Sequence, residues 1–219
     1  MLVMSHRGYC ADQCENTLDA FRAAINLGVD GIETDVRLSA DRLPVLCHDR
    51  VAPGGREVAM LSRRELEEVM GHPVPTLDEA LDLWSGGLWN IEIKTPGALH
   101  PALSVLSDYA LSHRILVTSF WHNIIQVAAQ HGDFECGIIV ANRPADYETL
   151  IALLDRLPSV RHMIWDYEIF DQDLVRLLPL SRGVINLAYG VEGKAEHEKC
   201  RSLGLGGVIT DSPEFLIPA

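Results

Sequence analysis

The chain is short of positive charge, of paired cysteines and of long apolar runs. Its 219 residues carry 18 Lys and Arg against 31 Asp and Glu, a net charge of −13. That balance argues against a nucleic-acid partner or an anionic membrane surface, both of which want a basic face. A small anionic substrate stays open, because a local cation or metal can dominate the field inside a site. No apolar run approaches the about 18 residues a spanning helix needs, so no stable membrane insertion is expected. A charged leader with an apolar centre is also missing, and the expectation is a cytoplasmic protein. The five cysteines (Cys10, Cys14, Cys47, Cys136, Cys200) are odd in number and scattered, without paired zinc spacing. They fit a reduced interior better than a disulfide framework. Ser119 lacks a G-x-S-x-G context, which leaves a serine nucleophile unsupported.

What is present is alternation. Short strand-like runs lie at 2–6, 31–36, 88–94, 115–120, 135–140, 162–166, 184–189 and 207–211. Helix-period stretches separate them at 16–27, 76–84, 100–112, 121–131, 145–156, 171–178 and 194–203. Such alternation means βαβ units and a parallel sheet. Eight strands predict a closed (β/α)8 TIM barrel, with an open doubly wound sheet as the competing topology. Asn16 is placed to cap the first helix and Gly28 to end it, and Thr76 with Glu79 forms a capping-box pattern. No repeat, low-complexity tract or linker is visible, so residues 1–219 are expected to form one domain. Segment 49–75 reads as a short insertion or cap between the second and third barrel strands, with a helix at 62–70.

The chemistry-bearing residues cluster at strand ends. Glu33 and Asp35 are two apart on one strand and share a face, and Glu92 and Lys94 repeat the spacing on the next barrel strand. Carboxylates converging at a barrel mouth repel one another unless a cation intervenes. All-oxygen ligation selects a hard ion, Mg²⁺ or Ca²⁺. Spacing alone leaves open a metal-free salt bridge through Lys94. His6 and His48 each end an extended segment near these carboxylates and suit paired acid and base roles. Arg7 offers a planar fork of donors to a phosphate.

The order HRG, ENT, DGIETDV, HD, PTLDEAL and NIEIK, followed by SF at 119–120, DYEIFDQDLV and LGLGGVITDSP, resembles the glycerophosphodiester phosphodiesterase family across essentially the whole chain. The resemblance implies a phosphatidylinositol-phosphodiesterase-like TIM barrel. It implies metal-dependent hydrolysis of a small glycerophosphodiester to glycerol 3-phosphate and an alcohol. It assigns the acid/base pair to His6 and His48, the metal to Glu33, Asp35 and Glu92, and the phosphate to Arg7, with Lys94 close to metal and phosphate. Glu15 and Asn16 match the ENT motif, while Asp49 and Asp211 are weaker candidates beside the histidines. The chain departs from the pattern at Cys14, where a Pro is usual, and at Asp41-Arg42, where Asp-Gly is usual. Tyr189, Gly190, Val191 and Glu192 stand where the family shows Trp-Thr-Val-Asn, leaving Tyr189 as the candidate aromatic platform for substrate. Two other functions compete. A lysophospholipase-D-like enzyme would use an apolar mouth around Val51, Val58 and Met60, and a non-catalytic barrel would only bind phosphoesters. A glycosidase using Glu33 or Asp35 with Glu92 ranks lower, because it has no use for HRG and HD.

Overall fold

The computed structural model describes residues 1–131, 134–170, 172–173, 176–178 and 183–217. Eight parallel strands close into a ring. They are β1 (Leu2–His6), β2 (Gly31–Leu38), β4 (Leu88–Ile93), β5 (Arg114–Ser119), β6 (Glu135–Val140), β7 (His162–Asp166), β8 (Ile185–Tyr189) and β9 (Gly207–Thr210). The first strand pairs with β2 on one side and with β9 on the other, which closes the barrel and excludes the open sheet. A ninth strand, β3 (Pro44–Leu46), folds back antiparallel on the end of β2. The turn before it places Arg42 at φ 67°, the left-handed region where a glycine would sit without strain.

Helices α1 (Leu18–Leu27), α3 (Leu77–Leu83), α4 (Pro96–Tyr109), α5 (His122–Ala128), α6 (Tyr147–Arg156) and α7 (Lys194–Ser202) fall between the strands as the periodicity predicts. The expected helix at 171–178 lies partly outside the described residues. Gly28 ends α1 with φ 88°, as read, but the cap at its start is Thr17, whose hydroxyl accepts from the Ala20 N–H. Asn16 is engaged elsewhere. Among the described residues no helix is long and apolar enough to cross a membrane.

Alternation along the strands divides the apolar side chains between two cores. Met4, Leu88, Leu116, Ile139, Ile164, Leu187 and Ile209 fill the barrel interior, while the larger cluster lies between sheet and helices. The second strand contributes Gly31 to the interior, where a Cβ would come within 2.7 Å of the Leu88 carbonyl oxygen and 2.9 Å of Met4. Only glycine fits there. Segment 49–75 packs round a small core of its own, formed by Val45, Cys47, Ala52, Val58, Leu61, Leu66 and Val74. Its helix α2 (Arg63–Met70) starts at a Ser62–Glu65 capping box. Val58 is therefore buried, and of the three apolar residues read as a mouth only Met60 stands well out, at 67% exposure.

Candidate active site

Three carboxylates meet at the C-terminal mouth of the barrel, where β2 runs beside β4. Glu33 and Asp35 both face inward from β2, and the register sets Asp35 opposite Glu92. One oxygen from each of the three lies within 4.8 Å of the others. They are 4%, 1% and 7% exposed for Glu33, Asp35 and Glu92. Lys94 Nζ lies 2.8 Å from Glu92 and 3.2 Å from Asp35, and Arg7 Nε lies 3.2 Å from Asp35. Glu33 has weaker company. It accepts from the Arg7 backbone N–H at 3.2 Å and lies 3.9 Å from His6 Nε2.

The titration of the three follows from these contacts. Burial and the neighbouring Asp35 charge push Glu33 up to about 8. Burial also raises Glu92, in spite of Lys94. For Asp35 burial is outweighed by Lys94 and Arg7, and its carboxyl is held low. The cluster is thus short of positive charge even with two basic side chains beside it. A hard cation with oxygen ligands fits this donor set and would let all three ionise together.

A stability effect follows in the chelated protein. A carboxyl whose folded pKa lies above the unfolded value of about 4.3 holds a proton that the unfolded chain releases. Its contribution to stability is therefore full at low pH and is lost as pH rises from that value toward about 8. Chelated wild type should melt lower at pH 8 than at pH 5.5, and Glu33→Gln should flatten that slope in scanning calorimetry. Added divalent cation should raise the melting temperature of wild type more at pH 8 than at pH 5.5.

The loop from β1 to α1 holds Arg7 in place. Gly8 takes φ 85°, and a Cβ there would meet Ala20 at 2.7 Å, so the glycine of HRG lets the loop pack on α1. Arg7 and Asn16 both sit at φ 55°, and the Asn16 N–H donates to the Arg7 carbonyl. The Arg7 Nη1 donates to both Glu15 oxygens, at 3.0 and 2.9 Å. Buried Asn16 donates to Asp35 at 3.0 Å and accepts from Thr34 Oγ1 at 2.6 Å and from the Asp35 N–H at 3.3 Å. It is a brace for a carboxylate of the trio rather than a helix cap. Asn16→Ala leaves these buried groups unpaired and puts alanine at a positive φ, an expected cost of about 2–4 kcal/mol by thermal or urea unfolding. Affinity for a divalent cation should fall about tenfold in the same variant.

Each predicted histidine has an aspartate behind it. His6 Nδ1 lies 2.8 Å from Asp211, and His48 Nδ1 lies 2.8 Å from Asp49. A carboxylate at Nδ1 favours the tautomer with its proton there, which leaves Nε2 for the substrate side. Burial lowers the proton affinity of His6, but Asp211 and Glu33 outweigh it and the net shift is upward. The two aspartates rated as weaker candidates therefore both orient a histidine. Arg37, two residues beyond Asp35, donates through Nε to the His48 carbonyl at 2.8 Å. Sequence reasoning passed over it, although the i, i+2, i+4 series from Glu33 carried the signal.

His6, His48, Arg7, Glu33, Glu92 and Lys94 line one cavity of about 470 Å³. Phe120, Ile139, Ile164, Tyr189, Val191 and Ile209 line the same cavity, so the expected platform residue reaches the site. Phe120, the end of a predicted strand and part of the SF pair at 119–120, is also at the site. Its ring lies edge to face with Tyr189 at 6.0 Å, and Lys94 Nζ is 5.7 Å from its centroid. Neither Val51, Val58 nor Met60 lines the cavity.

The family model for the glycerophosphoryl diester phosphodiesterase family matches residues 6–215. The chain belongs to that family. A glycerophosphodiester phosphodiesterase of Caldanaerobacter subterraneus is 29% identical, over 99% of this chain and 96% of its own. The glycerophosphodiester phosphodiesterase of Thermotoga maritima superposes with a TM-score of 0.83 at 26% identity, over 99% of this chain and 96% of that one. A phosphodiesterase of Oleispira antarctica, solved with the product sn-glycerol-3-phosphate, shares the fold. Its TM-score is 0.81 at 23% identity, with 98% of this chain and 94% of that one covered. The matched stretch includes the HRG, E-x-D and E-x-K residues of this chain that meet at the barrel mouth.

Proposed function

We propose that the chain, acting as one domain over 1–219, hydrolyses glycerophosphodiesters to glycerol 3-phosphate and an alcohol. In this reading Glu33, Asp35 and Glu92 hold Mg²⁺ or Ca²⁺, and His6 and His48 are the acid/base pair. The observation that carries it is the convergence, in one cavity, of two aspartate-backed histidines, a buried carboxylate trio and two basic side chains.

A divalent cation held by Glu33, Asp35 and Glu92 would supply Lewis-acid charge withdrawal at a phosphoryl oxygen. The chain's own residues supply the rest. Arg7 is anchored through Nη1 to Glu15, and Lys94 is anchored to Asp35 and Glu92. Each keeps donors beyond those contacts for the phosphate oxygens, which gain negative charge in the transition state. One histidine takes the proton of the attacking hydroxyl, from water or from the substrate's own glycerol. The other gives a proton to the departing alcohol. Asp211 and Asp49 keep both rings turned so that Nε2 faces the phosphorus. The sn-glycerol-3-phosphate bound by the Oleispira antarctica protein supports the product side of this reading. Five free thiols and a net charge of −13 support a cytoplasmic enzyme without a nucleic-acid partner.

The test is release of glycerol 3-phosphate from glycerophosphodiesters in a dehydrogenase-coupled assay, on chelated protein and after Mg²⁺ or Ca²⁺ is restored. Activity that returns with either cation is the expected result. Equal activity with and without chelator would refute the metal assignment.

A further inference from the structure

Strand β2 carries two of the three carboxylates, and it also docks the segment that carries His48. Alternation puts Arg37 on the face of Glu33 and Asp35, with its backbone opposite Val45 on β3. Because β3 ends at Leu46, His48 lies past the last strand pairing of its segment. Two hydrogen bonds back to β2 flank it. The Cys47 N–H donates to the Asp35 carbonyl at 3.0 Å, and Arg37 Nε donates to the His48 carbonyl at 2.8 Å. Among the described residues the His48 ring has one hydrogen-bond partner, Asp49, whose side chain is 78% exposed. A carboxylate that open to water can turn the ring but cannot fix where it stands. The backbone does that. Arg37 is half-buried, and among the described residues it forms no ion pair, although Asp35, Glu92 and Asp49 are near enough for their charge to act on it. Its side chain is spent on the one bond to His48.

We propose that Arg37 is a positioning residue, whose Nε–H holds the His48 carbonyl and so sets the distance between the His48 ring and the carboxylate trio. The inference rests on the phosphodiesterase reading above. One strand then carries both Glu33 and Asp35 and the anchor of an acid/base group, so the two halves of the site keep a fixed spacing. Proton transfer needs that spacing, and a displacement of about 1 Å costs about a hundredfold in rate. The donor is Nε, the atom nearest the chain, so what matters is an N–H at that place rather than the charge of the guanidinium.

The experiment compares Arg37→Gln with Arg37→Met, each alone and combined with His48→Ala, in metal-loaded protein. Gln keeps an N–H at the ε position without the charge, and Met puts a methyl group there. Arg37→Met is expected to lower kcat about a hundredfold with KM for glycerophosphocholine within about twofold, and Arg37→Gln to recover at least about tenfold of that loss. In His48→Ala, adding Arg37→Met should cost less than about twofold, because the group it positions is gone. Hydrogen–deuterium exchange over 43–50, read by mass spectrometry, should quicken in Arg37→Met and stay near wild type in Arg37→Gln. Equal losses in the two variants would assign the effect to charge, and a full loss repeated in His48→Ala would assign it to the fold at large. Either overturns the positioning role and leaves the reaction assignment standing. If wild type cleaves no diester, the reaction assignment falls instead. The exchange measurement then still decides, and equal rates in wild type and Arg37→Met would overturn the anchor.

Discussion

His48→Ala is expected to lower kcat by about a thousandfold, with divalent-cation binding nearly unchanged. The two halves follow from where His48 sits. Its ring lines the cavity and is bonded at Nδ1 to Asp49, which leaves Nε2 to move a proton. It is not a member of the carboxylate trio, whose donor oxygens lie within 4.8 Å of one another without it. The imidazole side chain is 34% exposed, so its truncation opens no sealed core cavity. Steady-state assay and calorimetric titration of Mg²⁺ or Ca²⁺ separate these effects. Normal turnover in the variant would sink the acid/base assignment, and lost metal binding would show that the ring helps build the metal site.

Asp35→Asn is expected to remove both activity and stability. Asp35 is the most deeply buried of the trio and answers two cations at once, Lys94 at 3.2 Å and Arg7 at 3.2 Å. Neutralising it leaves two largely buried positive side chains with one fewer counter-charge, a change that costs about 3–5 kcal/mol when a buried pair is broken. At about 2–4 °C per kcal/mol for a chain of this size, a drop near 10 °C is expected in a calorimetric scan. Activity should fall by at least about a thousandfold, because one change disturbs the proposed metal site and the anchors of both Arg7 and Lys94. The Asn16 Nδ2 donor would then share a single acceptor oxygen with Lys94 and Arg7, because the N–H₂ of the new amide cannot accept. A variant that melts like wild type would show that the cations find other partners.

The barrel was legible because its physics is periodic. Apolar strands about as long as a barrel wall alternate with helix-period runs, and i, i+2 carboxylates on a strand must share a face. Every site residue proposed on those grounds lies at the one mouth. What the sequence hid was long-range pairing between polar neighbours. Asn16 and Thr17 are adjacent and both are good caps, and local propensity cannot say which one turns inward. The structure decides, because Asn16 is needed by Asp35, 19 residues away. Asp211 reaches His6 across 205 residues, a contact that only barrel closure through β9 creates. Helix α4 starts at Pro96, ahead of the predicted 100–112 stretch, and carries Pro101 inside it. Val58 looked like part of an open mouth because nothing in the sequence announced that the insertion carries its own small core.

The most direct test is ³¹P NMR of the chelated protein with glycerophosphocholine, before and after Mg²⁺ or Ca²⁺ is added, with His48→Ala run beside wild type. The account predicts a glycerol 3-phosphate resonance that grows only with wild type and cation. Growth of that resonance under chelation, its appearance at the wild-type rate with His48→Ala, or an unchanged diester signal with every cation would contradict it.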